Sequence, residues 1–291
     1  MNSQKLLIIV FFILVLIFSI VTGCSKSDDQ QKPEKMKVLT ISSTTSLDNS
    51  GLFNAILTDF ETKFNTKVKV IAVGTGAAIK MAEDGNVDAI FVHAKSAELK
   101  FVNDGYGKNR KEIMYNYFVL IGAENDPAKI AGKNILDALK TISEANVPFI
   151  SRGDNSGTHK KEKSLWAKVG GEPKPSEWYI QSGKGMGPSL TMAFEKQGYC
   201  LTDKGTFLAY KDKIKDMKIL VGQDEELKNI YGVIAVNPDK RVEVTGGKVT
   251  KDEAESKYEL AMKFIGWLET KDVKDKIRAY KVQNESLFIP Y

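Results

Sequence analysis

Between Ser151 and Lys160 the chain reads SRGDNSGTHK, directly after the apolar run Val147–Ile150. Three chemistries fit that set of groups. Ser151, Asp154 and His159 hold the residue types of a nucleophile with its base. Arg152, glycine backbone and a fresh helix start suit an oxyanion. A solvated turn with ordinary caps accounts for them equally. The spacing weakens the first, because all three groups crowd one turn and nothing fixes a Ser–His hydrogen bond. A secreted serine hydrolase is the minor alternative.

Three more strand-to-helix junctions share this character. They are Ser43-Thr44-Thr45-Ser46 leading to Ser50-Gly51, then Gly74-Thr75-Gly76, then Ser182-Gly183-Lys184-Gly185-Met186-Gly187 leading to Ser189. One such junction is an ordinary N-cap. Four in one chain, one of them carrying Arg152, point to anion capture. Helix starts have unpaired N–H donors and a partial positive charge, and arginine adds a permanent fork of donors. Asp154 either orients Arg152 or faces the ligand.

Other chemistries lose ground on the same text. No G-x-x-x-x-G-K-[ST] and no G-x-S-x-G is present. Two His and two Cys make a zinc site improbable. His93, after an apolar strand, reads as a packed core residue, and His159 as an exposed or capping residue. Tyr115, Tyr117 and Tyr231 read as packing in hinge strands. Cys200 reads as a small buried hydrophobe, Trp166 and Trp178 as core. A net charge of +5 with no basic–aromatic patch argues against nucleic acid.

Elements that position these loops follow from periodicity. Strands are expected at 38–42, 68–73, 87–92, 113–122, 147–150, 178–180, 199–201, 218–221 and 230–236. Helices are expected at 51–64, 77–83, 135–145, 158–169, 190–197 and 203–210, with a helical tail from Ala254 to Tyr280. The alternation predicts an α/β fold of two lobes, each a mostly parallel sheet flanked by helices, joined by two hinge strands. Lobe I is 38–120 plus 233–291 and lobe II is 121–232. Loops at the carboxyl ends of such strands are where ligands bind.

The N-terminus is not fold. Lys5 precedes the 15-residue apolar run Leu6–Ile20, which ends at Val21-Thr22-Gly23-Cys24. That is short for a span and normal for a signal peptide. Residues 1–23 are expected to be cleaved, Cys24 lipidated, and 24–37 a polar tether. The protein is then extracytoplasmic and lipid-anchored to the cell membrane, with Cys200 left without a disulfide partner.

Several blocks resemble the tungstate-binding lipoproteins of ABC importers. They are SSTTSLDNSGL (42–52), VGTGAAI (73–79), FVHAKSAE (91–98), GYGKNRKEIMYNYFVLIG (105–122), SRGDNSGTHKKEKSLW (151–166), SGKGMGPSLTMAFE (182–195) and YGVIAVNP (231–238). The resemblance spans most of the mature chain. It implies a type II periplasmic-binding fold, a monomer without cofactor, catalysis or protein-ligated metal, and an ABC permease and ATPase as partners. The implied ligand is tungstate, with molybdate second. By matching motifs, Ser43, Thr44, Thr45, Ser46, Thr75 and Gly76 face Arg152, Ser156, Gly157 and Thr158, with Ser182, Gly183 and Arg110 as further contacts. Tyr117 departs from the family, which more often has Asp there. Arg152–Thr158 also resembles phosphate-binding proteins. Phosphate carries a proton near neutral pH and calls for an acceptor, whereas tungstate is a proton-free dianion that calls for donors only.

Overall fold

The computed structural model describes residues 36–291, and Lys37–Tyr291 form one compact unit. The expected signal peptide, Cys24 and tether to Lys35 lie outside the described residues. Strands are β1 Lys37–Thr44, β2 Thr66–Val73, β3 Ala89–Val92, β4 Gly107–Ala123, β5 Phe149–Ser151, β6 Tyr179–Gln181, β7 Tyr199–Asp203, β8 Met217–Val221, β9 Lys228–Val236, β10 Lys281–Val282, β11 Glu285–Ser286 and β12 Ile289–Pro290. The main sheet runs β2-β1-β3-β9-β4-β7-β5-β6, with β8 and β12 also paired to β4.

Each end of that sheet is parallel: β2-β1-β3 on one side and β6-β5-β7 on the other. Between them β9 and β4 run antiparallel to their neighbours. The long β4 changes partner midway. Gly107–Tyr117 pairs with β9, and Phe118–Ala123 pairs with β7 and β8. The two crossover segments expected from the sequence are these strands.

Period-two alternation decides which helix layer each side chain meets. Leu39 and Ile41 of β1 join the cluster containing Phe53, Phe60, Phe264 and Trp267. Ser42, the next residue, points to the opposite layer, where its hydroxyl donates to the Ala78 carbonyl at 2.8 Å. In β4, Phe118 and Leu120 join one core cluster while Val119 and Ile121 join another. Trp166 and Cys200 are buried as expected.

The structure adds elements that periodicity did not predict. β4 begins at Gly107 and not at residue 113, because Lys108–Glu112 alternate in a strand whose polar side chains are ion-paired. Helices Lys95–Asn103 and Pro238–Val244 are also new. The first has Glu98 and Phe101 as its buried residues, too sparse an apolar stripe to read from sequence.

Candidate functional site

The first two loops leave one edge of the sheet. Thr44 at the end of β1 registers with Val73 at the end of β2, and Ser43 with Phe91 of β3. Ser43-Thr44-Thr45-Ser46, Gly74-Thr75-Gly76 and His93 therefore emerge side by side. Thr44 caps the short helix Thr45–Asn49 by accepting from Leu47 N at 3.3 Å. Gly74 caps Thr75–Glu83 without a side chain, so the starting amides at Thr75 and Gly76 have no side-chain partner from the cap.

Ser43 is among the ligand donors that the resemblance implies. It is fully buried, and its hydroxyl donates to the Phe91 carbonyl at 2.7 Å. Its single hydrogen is spent inside the fold. Thr45 is exposed and Ser46 half-buried. The Ser46 hydroxyl lies 3.1 Å from Thr44 Oγ1 and 3.1 Å from His93 Nε2. His93 is thus no core residue. It is half-buried at the loop edge.

The third loop leaves β5. Ser156 caps helix Gly157–Lys168 by accepting from His159 N at 3.3 Å. The Arg152 guanidinium donates through Nη2 to Asp154 Oδ2, while its buried Nε has no partner. Asp154 Oδ1 accepts from Ser156 N at 3.1 Å. Partial burial opposes ionisation of Asp154, but the bonds from Ser156 and Arg152 prevail and hold its carboxyl below the usual range. Both carboxylate oxygens are thereby occupied by protein donors.

The fourth loop braces the third. Ser182 N donates to the Ser151 carbonyl and Gly183 N to the Arg152 carbonyl, both at 2.9 Å. Ser182 Oγ donates to the Arg152 carbonyl at 3.2 Å and lies 2.7 Å from Ser189 Oγ. Ser182 and Gly183 are expected as ligand donors; in the structure these groups hold the Arg152 backbone. Gly153 completes the turn at φ 63°, where a Cβ would lie 2.8 Å from Gln181 Cβ. Gly153→Ala is expected to destabilise by about 1–3 kcal/mol through strain at that dihedral. It should also weaken anion binding; paired melting curves and titrations check both.

Behind the loop lies a buried polar group that sequence reading missed. His159, expected as an exposed or capping residue, is 4% exposed and takes the capping role. Its Nδ1 accepts from Asn155 N at 2.9 Å, so Nε2–H points to Glu172 Oε1 at 3.2 Å. Glu162, 1% exposed, accepts from the Tyr179 hydroxyl at 2.7 Å. Burial pushes the Glu162 carboxyl up to about 7, against the hydrogen bond from Tyr179. A raised folded value favours the protonated native form. The stabilisation is full below the ordinary value of 4.5 and is lost as pH rises through about 7. Glu162→Gln is expected to remove about 3 kcal/mol of pH dependence between those limits, read from urea denaturation at stepped pH.

The first and third loops meet. A Cβ on Gly157 would lie 3.8 Å from His93 Cε1. Ser46, His93 and the start of the Gly157–Lys168 helix are therefore neighbours, although 46 and 157 lie far apart in sequence. Arg110 is occupied elsewhere. Its Nε and Nη2 each lie 2.8 Å from Glu98 Oε2, and Nη1 donates to Glu112 Oε1 at 2.9 Å. Among the described residues no His/Cys/Asp/Glu group is arranged to hold a metal ion, and no helix is long and apolar enough to cross a membrane.

Strand-end loops of the two parallel sheet sections approach each other at His93 and Gly157, and these loops carry hydroxyls, helix-start amides and one guanidinium. That is the build of a solute-binding α/β protein. A family model described as a PBP superfamily domain matches residues 28–271. The tungstate-binding protein TupA of Peptoclostridium acidaminophilum is 41% identical over 270 residues, covering 90% of this chain and 93% of that one. The solved tungstate-binding protein TupA of Desulfovibrio alaskensis G20 superposes with a TM-score of 0.79 at 41% identity, covering 88% of this chain and 99% of its own. The tungstate ABC transporter structure from Geobacter sulfurreducens gives 0.70 at 48% identity, covering 84% and 98%. The chain belongs to the PBP superfamily and, within it, to the family that includes these tungstate-binding proteins.

Proposed function

We propose that this protein captures tungstate, with molybdate as second ligand, outside the cytoplasm and delivers it to an ABC permease and ATPase. The observation that carries this reading is the orientation of Asp154. With Oδ2 on Arg152 and Oδ1 on Ser156 N, the carboxylate is turned to its own loop. The groups at these loop ends are then donors: Arg152, the amides of Gly157 and Thr158, those of Thr75 and Gly76, and the exposed hydroxyl of Thr45. A proton-free dianion is satisfied by donors alone. Phosphate, the second reading, brings a proton that needs an acceptor, and leaving it unpaired costs affinity.

In this reading Gly107–Ala123 and Lys228–Val236 form the hinge between lobes 38–120 plus 233–291 and 121–232, and ligand binding draws the lobes together. Residues 1–23 are the signal peptide, Cys24 carries the lipid, residues 24–37 are the tether, and the protein works as a monomer. The lipid assignment is tested by mass spectrometry of the mature N-terminus. The ligand is tested by calorimetric titration with tungstate, molybdate, sulfate and phosphate. Tight tungstate binding with little phosphate response is expected; tight phosphate binding without tungstate response rejects the assignment.

A further inference from the structure

His93 leaves the end of β3 with both ring nitrogens engaged. Nδ1 lies 2.9 Å from Asn229 Oδ1 and Nε2 lies 3.1 Å from Ser46 Oγ. The ring rests on Tyr231, with centroids 4.8 Å apart. Asn229 gives its amide hydrogens to Asn116 Oδ1 at 2.8 Å and to the Tyr231 hydroxyl at 3.2 Å. Its Oδ1 is then an acceptor, so His93 Nδ1 carries the hydrogen. A neutral ring in that tautomer has a lone pair at Nε2, and Ser46 must donate to it. Ser46 owns one hydrogen. While that hydrogen points at His93, Ser46 shows an anion only lone pairs.

The same ring borders the anion-attracting end of helix Gly157–Lys168, at 3.8 Å from a Cβ on Gly157. The amides of Gly157 and Thr158 have no carbonyl of their own helix to bond, and the helix start favours negative charge. A dianion held there attracts positive charge onto the ring beside it.

We propose that His93 is the positioning residue that sets the direction of the Ser46 hydroxyl, and that capture of a proton-free dianion draws one proton from solvent onto His93 Nε2. The imidazolium then donates to Ser46 Oγ, and the Ser46 hydrogen turns to the ligand. The inference rests on the oxyanion reading above.

The groups around the ring fit this direction. Burial lowers the His93 pKa, which keeps the ring neutral without ligand; Asp203 at the end of β7 opposes that and favours the charged form. Tyr231 stays neutral, because burial pushes its hydroxyl up. Ser46 and Asn229 carry no charge, the helix start at Gly157 opposes a charge on the ring until an anion occupies it, and in the loop before Gly157 the Arg152 charge is paired with Asp154. Affinity for tungstate therefore rises as pH falls from the liganded to the unliganded His93 pKa, by at most about tenfold per unit, and is flat outside that window.

Calorimetry of tungstate binding near pH 7, in buffers of different ionisation enthalpy, counts the protons. A clear fractional uptake is expected for the wild-type protein and none for His93→Gln, whose pH profile should be flat. The chain holds two His, so 15N-histidine NMR resolves them and reads the same event directly. Protonation of His93 Nε2 on adding tungstate supports the proposal even if His93→Gln does not fold. Tungstate binding with no proton uptake and an unchanged His93 signal overturns it, as does equal uptake in His93→Gln. Absence of tungstate binding altogether overturns the oxyanion reading itself.

Discussion

Arg152→Ala is expected to lower tungstate affinity by about 30-fold to several thousand-fold while leaving the melting temperature nearly unchanged. The guanidinium is the one permanent positive charge in the proposed shell, and its Nε is buried without a partner. Truncating one member of a buried, hydrogen-bonded charge pair costs roughly 2–5 kcal/mol, or about 30-fold to several thousand-fold in Kd. The substitution has a second effect in the same direction. It frees Asp154 from Arg152, leaving a carboxylate beside an incoming dianion. Arg152→Ala with Asp154→Asn should therefore bind better than Arg152→Ala alone. Stability is spared because the loop is held by its backbone: Gly183 N and Ser182 Oγ bond the Arg152 carbonyl whatever side chain position 152 carries. Calorimetric titration beside a thermal melt separates the two effects. Unchanged affinity would remove Arg152 from the site.

The contrast between Arg152 and its surroundings shows what sequence conveys about such a site. Hydroxyls, glycines and one arginine at strand ends were legible, because the strands that carry them are regular and the carboxyl edge follows from parallel alternation. The direction of each hydroxyl was not. Ser43 and Thr45 sit in one short motif, yet Ser43 is closed off by the Phe91 carbonyl while Thr45 is exposed. Which oxygen finds an inward acceptor depends on the neighbouring strand, and that is tertiary information. The bonds of Ser182 and Gly183 were illegible for the same reason, since their partner is the backbone of a loop 30 residues away.

His93 was misread because a lone His after four apolar residues resembles core. A positional signal was present: it follows β3 just as Thr45 follows β1 and Gly74 follows β2, so all three share one edge. Only the registers of β1 with β2 and β3 turn that coincidence into proximity. The parallel ends of the sheet were readable for a similar reason. The antiparallel β4 and β9 were foreseen as crossovers, but the polar start of β4 was not, because ion pairs and not apolar alternation hold it in the sheet.

Arg110 provides the opposite prediction to Arg152. Arg110→Ala is expected to destabilise the protein by about 3–5 kcal/mol while the folded fraction keeps tungstate affinity within about twofold. Glu98 is fully buried, and its Oε1 accepts from Ala94 N at 2.7 Å. Burial pushes its carboxyl up, and Arg110 opposes that shift. The pair sits over Gly232 of β9, where any Cβ would meet Glu98 Oε2 at 2.2 Å, so the space admits neither water nor a larger residue. Removing the guanidinium strands a desolvated carboxylate. Replacing both partners with apolar groups, as in Arg110→Met with Glu98→Leu, should recover most of the loss, because an unpaired charge and not a missing attraction dominates the cost. Urea denaturation of the single and double variants measures the stability arm, and calorimetry at low temperature the binding arm. Lost affinity with unchanged stability would instead assign the Arg110 guanidinium to the anion.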